Sequence, residues 1–184
     1  KSSKQFKKNN VKVNIGVNEL ENKKFYSSYI RFKKNKLPFV TAKIALSKDY
    51  YTKNRKKKWI TNLFSRGITH ILRSKHDCIL TSSRTVIDDN PLLTCRIKGL
   101  ENTSPARIIL DKDLKTPVNS KIVKSAKKFK TFIIYKNSID KKIINFKKSK
   151  VKLIKVSLTE NKNFNLKKIL LLVKNLGYSR ILLE

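Results

Sequence analysis

The sequence predicts an α/β protein built on a mainly parallel sheet, and three observations carry that expectation. Apolar runs of strand length recur at 39–46, 78–80, 107–110, 131–135, 151–156 and 180–183. The stretches between them are helical stripes or long polar crossovers, which parallel strands require and tight hairpins do not. Only 4 Gly and 4 Pro occur among 184 residues, so the chain is neither collagen-like nor a Pro/Gly-rich disordered polymer.

Residues 1–37 are mostly polar. Within them Val11 to Val17 alternates apolar and polar residues, a short strand by its period, and Tyr26 to Phe32 reads as a helical connection. Pro38 opens the first strong strand, PFVTAKIALS. Val40, Ala42, Ile44 and Leu46 fall on one of its faces, and Thr41, Lys43 and Ala45 on the other. The polar loop DYYTKNRKKK follows. From 62 to 75 the period becomes helical, with a stripe of Leu63, Phe64, Ile68, Ile71 and Leu72 and with Thr61 or Asn62 as N-cap. Asp77 to Leu80 is a short buried strand, broken by the hydroxyl-rich TSSRT and then by a DDNP turn. Strands are expected at 107–110, 131–135 and 151–156. A helix at 165–176 has an Asn cap, an apolar face of Leu166, Ile169, Leu170 and Val173, and Gly177 just past its end. Arg180 to Leu183 is a final strand. Ligands of such sheets gather at the carboxyl ends of strands, so the loops after 39–46, 78–80 and 107–110 are where chemistry is expected.

The charge is extreme: 45 Lys+Arg against 12 Asp+Glu, a formal +33. Such a balance ordinarily points to a polyanion partner. Yet only 8 of the 45 are Arg, the residue preferred for bidentate phosphate and base recognition. Lys is spread along the whole chain, and Asn and Ile are abundant too, the joint excess that codon usage in an AT-rich genome produces. A solvated Lys-rich surface without a specific nucleic-acid partner is the reading adopted. A basic RNA-binding protein of ribosomal type is the alternative. Two Cys make no disulfide scaffold, and no C-x-x-C spacing is present. No apolar run approaches a membrane span, and the N-terminus lacks the apolar core of a secretory signal. A cytoplasmic protein of a reducing compartment, without a membrane partner, is expected. The lack of any Met and the strand-like ILLE at 181–184 point to a processed or excised piece of a longer protein.

His70 lies within the 62–75 helix and His76 at its end; they are read as a helix-surface residue and a dipole-favoured helix-end residue rather than as catalysts. Cys78 reads as a small hydrophobe on a buried strand, and Cys95 has only Arg96 as a basic neighbour. No metal constellation is present. The segment 81–96, TSSRTVIDDNPLLTCR, is richer. Hydroxyls at 81, 82, 83 and 85 directly follow a strand and suit a phosphate or an amide-bearing ring. Asp88 and Asp89 follow, then Arg96, with Arg73 on the preceding helix. A polar small-molecule site and a loop merely shaped by an Asx turn both fit these residues.

The string HDCILTSSRTVIDDNPLLTCR resembles the signature of the pyrimidine reductase domain of bacterial riboflavin biosynthesis, the C-terminal half of a bifunctional deaminase/reductase. LPFVTAKIALS, KKWITN, ARIILDKDLKTP and GYSRILLE are similar to further blocks of that domain, in the same order. The resemblance implies a dihydrofolate-reductase-like fold, a mostly parallel sheet flanked by helices, C-terminally truncated here. It divides the chain into 1–35, a remnant of the deaminase domain and its connector, and 36–184, an incomplete reductase domain. The deaminase zinc motif is absent, and the last strand is expected to be left as an open edge.

The same resemblance implies an NADPH-dependent oxidoreductase. It would transfer a hydride to the ribosyl C1′ of 5-amino-6-(5-phosphoribosylamino)uracil, and it would form a dimer or larger homo-oligomer. By position, Ala45, Trp59, Thr85 and Asp89 would line the NADPH site, with Trp59 packing on the cofactor and Asp89 nearest the reacting centre. Arg73, Leu93 and Arg96 would bind substrate, the arginines taking its 5′-phosphate. Lys43 would polarise the opened sugar, and Glu184 would face the substrate. Three positions depart from the pattern: Tyr50 stands where glycine is usual, Lys57 where a serine is usual, and Lys112 where a small hydroxyl is usual.

Overall fold

The computed structural model describes residues 2–35, 37–52, 60–137 and 140–184. Among them six strands form one sheet: β1 (Phe39–Ala42), β2 (Cys78–Ser82), β3 (Ala106–Leu110), β4 (Thr131–Tyr135), β5 (Lys152–Lys155) and β6 (Arg180–Leu183). Their order across the sheet is β1-β6-β2-β3-β4-β5, and every pairing is parallel. Eight helices surround and precede it: α1 (Ser2–Lys8), α2 (Glu19–Phe25), α3 (Ser27–Asn35), α4 (Leu63–Ser74), α5 (Ser83–Asp89), α6 (Lys121–Lys124), α7 (Asp140–Lys148) and α8 (Leu166–Asn175). Each of α4 to α8 lies within a crossover between consecutive strands, as a parallel sheet demands.

The central strands are apolar at nearly every position because both faces are covered. Ile79, Ile109, Ile133 and Leu182 pack on one face with Val86, Ile122, Val123, Ala126 and Phe146. Cys78, Leu80, Ile108, Ile134 and Ile181 pack on the other with Ile169 and Val173 of α8. The period-2 alternation of strand side chains divides the two cores. Local signals behave as the residues require. The Asn62 side chain caps α4 by accepting from the Ser65 N–H at 2.8 Å. Asn165 caps α8 from the Lys168 N–H at 3.1 Å. Gly177 takes φ +94°, the left-handed turn that ends that helix.

Several expectations are corrected. Residues 11–17 form no strand; their alternation finds no partner among the described residues, and none of α1 or α2 is buried. The 39–46 run pairs only over 39–42, with one further bond from Lys43 N–H to Leu183 O at 3.0 Å. Its apolar face points outward, so Val40, Ile44 and Leu46 are exposed. The stripe of α4 is outward as well, with Leu63, Phe64, Ile68 and Ile71 exposed and Leu72 alone packed on the core. This helix turns a polar face inward. Leu166 of α8 is likewise exposed. The last strand is no edge: β6 lies between β1 and β2, and the edges are β1 and β5.

The hydroxyl-rich TSSRT and the DDNP turn are largely helix. Ser82 caps α5 by accepting from the Thr85 N–H at 3.3 Å, Val86 is buried, and Asn90 closes the helix at φ +44°. Two helices that no stripe announced, α6 and α7, complete the flanks. Tyr50 keeps the glycine-like backbone of its position at φ +64°, in a turn closed by Tyr50 N–H to Ser47 O at 3.0 Å. For a residue with a Cβ this conformation costs about 1 kcal/mol.

Candidate active site

The insertion of β6 between β1 and β2 puts Glu184 at the middle of the sheet's carboxyl edge, where its N–H donates to Leu80 O at 3.2 Å. In open α/β sheets the crevice for ligands opens where the strand order reverses, which is here. Arg73, in the last turn of α4, reaches this point. Its Nε donates to Glu184 Oε1 and its Nη2 to Oε2, both at 2.8 Å, a parallel fork-on-fork pair. Its Nη1 donates to Thr94 O at 3.2 Å.

One turn earlier on the same face of α4, His70 Nδ1 lies 3.0 Å from Thr94 O, and the Arg96 N–H points at that same Nδ1 from 3.3 Å. This explains the outward stripe: α4 spends its inner face on polar contacts with the 92–96 segment and Glu184. Burial, followed by the charges of Arg73 and Arg96, pushes His70 below its ordinary value, while the Thr94 carbonyl and Glu184 oppose the shift.

The 92–96 segment is fastened from beneath. Arg107 of β3 is fully buried, and its Nη1 donates to Leu92 O at 2.9 Å. Cys95 N–H donates to Ser104 Oγ at 3.1 Å. Leu93 is buried at φ +53°, so it turns the chain rather than offering a surface. Arg96 emerges exposed, its guanidinium without an ion-pair partner among the described residues.

The structure thus brings Arg73, Glu184 and Arg96 into one cluster, with Leu93 holding its loop. Thr85 stands in the first turn of α5 and Asp89, exposed, at its last residue. Asp88 is tied to Arg84 at 3.0 Å. Lys43 and Ala45 are half-buried in the extended chain after β1. Trp59 and Lys57 lie outside the described residues. Lys112 O accepts from the N–H groups of Lys136 and Asn137, both at 3.0 Å, so its backbone is pinned to the end of β4. His70 is the site residue that sequence reasoning missed, although its spacing of three from Arg73 places both on one helix face. His76 is structural: Nδ1 lies 2.6 Å from Leu72 O and Nε2 lies 2.8 Å from Thr41 Oγ1, fastening α4 to β1. No group of three or more His, Cys, Asp or Glu among the described residues can hold a metal ion.

Residues 38–184 match the RibD C-terminal domain. The chain belongs to this family. Its relatives include the riboflavin biosynthesis protein RibD of Aquifex aeolicus, 33% identical over 176 residues that make up 95% of this chain and 47% of that protein. RibD of Actinobacillus pleuropneumoniae is 28% identical, over 85% of this chain and 41% of that one. The chain therefore spans about half the length of the curated relatives it matches. Among solved structures, a Thermotoga maritima diaminohydroxyphosphoribosylaminopyrimidine deaminase/5-amino-6-(5-phosphoribosylamino)uracil reductase superposes with a TM-score of 0.77 at 23% identity, covering 100% of this chain and 49% of that one. The Saccharomyces cerevisiae riboflavin biosynthesis reductase gives a TM-score of 0.65 at 23% identity, over 89% of this chain and 71% of that one. The RibD reductase fold, a dihydrofolate-reductase-like parallel sheet flanked by helices, is the one seen here. No helix among the described residues is long and apolar enough to cross a membrane.

Proposed function

We propose that this chain is the reductase portion of a riboflavin-biosynthesis enzyme, reducing 5-amino-6-(5-phosphoribosylamino)uracil at the expense of NADPH. Family membership supports the reaction class. The observation that carries the reading is the polar cluster of Arg73, Glu184, Thr94 and Arg96, assembled at the carboxyl edge where the sheet's order reverses.

The residues suit such a ligand pair. Arg96 is the cation with an open fork for the 5′-phosphate. Arg73 fixes the Glu184 carboxylate by two hydrogen bonds, so that its remaining lone pairs are aimed for a sugar hydroxyl rather than free to rotate. Lys43 polarises the oxygen of the opened sugar, and Asp89 orients the reacting pair. The cofactor side is assigned from the chain that follows β1 and β2. Thr85 adds a hydroxyl on α5, and we assign Ala45 and Trp59 to the same cofactor on the family resemblance. NADPH, when bound, supplies the hydride. The chain's part is to hold C1′ close to it and to offer the proton of the Lys43 ammonium to the reduced sugar.

The test is loss of reduced-nicotinamide absorbance on adding the pyrimidine nucleotide to the purified protein. Consumption that needs both reactants is expected. No consumption, together with no binding of either reactant by calorimetry, would overturn the assignment.

A further inference from the structure

We propose that His70 is a positioning residue of this site, its Nδ1 deciding how the Arg96 backbone, and with it the Arg96 guanidinium, is held beside Arg73. The kinetic part of this proposal rests on the reductase reading; the geometric part does not.

Nδ1 of an imidazole carries either a proton or a lone pair. With a proton it donates to Thr94 O, 3.0 Å away. With a lone pair it accepts from the Arg96 N–H, 3.3 Å away. It cannot do both. The two neighbours are not equally dependent on it. Thr94 O already has a second donor in Arg73 Nη1 at 3.2 Å. The Arg96 N–H has no other acceptor among the described residues. We assign the neutral ring its proton on Nε2: this tautomer anchors Arg96 while Arg73 continues to serve Thr94, so neither neighbour is left without a partner, at the cost of a lone-pair contact between Nδ1 and Thr94 O at 3.0 Å.

Ionisation removes that arrangement. The imidazolium has protons on both nitrogens, so Nδ1 turns to Thr94 O and the Arg96 amide is released. The charged groups facing the ring are Arg73 from α4, Arg96 from the 92–96 segment and Glu184 from the end of β6. Two are cations, so a third positive charge there is resisted, and the ring works neutral through the physiological range. Acidification uncouples Arg96 from α4 while leaving the Arg73–Glu184 pair in place. His70 thus acts on the substrate phosphate only through the residue that meets it.

The test reads the Arg96 amide directly, by nitrogen-resolved NMR of the unaltered chain and of two variants, without substrate. The Arg96 amide should move together with the ring nitrogens of His70, at a midpoint below the ordinary imidazole value near 6.5. In His70→Asn, whose side-chain oxygen accepts but does not ionise, that amide should stay in its anchored position across the same range. In His70→Phe it should sit at the acid-limit position at every pH. An Arg96 amide that ignores the ring's ionisation, or titrates alike in His70→Asn, would overturn the proposal. In turnover, KM for the phosphorylated substrate should pass through one more ionisation in the unaltered protein than in His70→Asn; identical profiles would count equally against it. A protein that turns nothing over would defeat the reductase reading alone, because the amide measurement needs no catalysis.

Discussion

Arg73 and Glu184 stand 111 positions apart in sequence and meet as a two-pronged ion pair, both contacts at 2.8 Å, with their side chains only 11% and 7% exposed. Taking two charges out of water is costly, and the pair holds because each oxygen of Glu184 has its own donor. Breaking it from one side strands a charge. Glu184→Gln and Arg73→Met should each lower unfolding stability by about 3 kcal/mol. The double replacement by apolar residues should cost clearly less than the two single losses added together. Denaturant unfolding of the three variants checks this, and simple additivity would show that the two side chains are not coupled.

Arg107 makes a second prediction. Its guanidinium is fully buried and pairs with no carboxylate among the described residues; it donates to Leu92, Ile122 and Phe129 carbonyls and to Ser125 and Thr131 hydroxyls. Burial pulls it down to about 10, so it stays charged at neutral pH. Arg107→Met should destabilise by roughly 3 kcal/mol or more through orphaned carbonyls. Arg107→Lys should rescue little, since a point charge cannot reach five acceptors spread in a plane. Thermal melts of both variants test it, and a Lys variant as stable as the original would refute it.

At the proposed site, Asp89→Ala should reduce kcat/KM by roughly 100-fold if Asp89 orients the reacting pair. Arg96→Ala should chiefly raise KM for the phosphorylated substrate. Steady-state kinetics that match the unaltered protein in both would remove these residues from the site.

Cys78 is pushed up to about 12, first by burial and then by the charge of Asp77. In the unfolded chain the thiol ionises near 9. The folded form therefore keeps a proton that the unfolded form releases, and stability should fall as pH rises above about 9. A thiol reagent at mildly alkaline pH should leave Cys78 untouched until the chain unfolds; rapid native labelling, located by mass spectrometry, would contradict this.

The +33 charge should give only loose polyanion binding. Retention on duplex DNA or RNA should collapse between roughly 50 and 200 mM salt, without sequence preference. Tight, salt-resistant and sequence-selective RNA binding would restore the ribosomal-type alternative.

The central strands were legible in the sequence because burial on both faces leaves an uninterrupted apolar run, as in CIL, RIIL and TFIIY. The ends of β1 were not, since 43–46 continues the alternation without a partner to pair with. α5 was hidden because Ser82, Ser83, Thr85, Asp88 and Asp89 are weak helix formers. What makes it helical is a cap at Ser82 and a socket for Val86, one local and one tertiary. The stripe of α4 revealed a helix but not which face it buries. That choice depends on Thr94 and Glu184, whose arrival beside Arg73 no local pattern encodes. The roles of the arginines and carboxylates as a set came from the family resemblance, while the contact of His70 with residues 24 and 26 positions away belongs to tertiary structure alone.

The position of β6 between β1 and β2 has a cost in time. During synthesis Phe39 must wait for Arg180, its register partner, about 140 residues later. At ribosomal speeds that is on the order of ten seconds. Throughout this interval β2, β3, β4 and β5 can zip together in sequence order, yet β1 has nothing to join. A newly made chain therefore carries an apolar strand with unpaired backbone groups while its other half is already organised, and this is the window in which it is most exposed to aggregation with its neighbours and most dependent on chaperones.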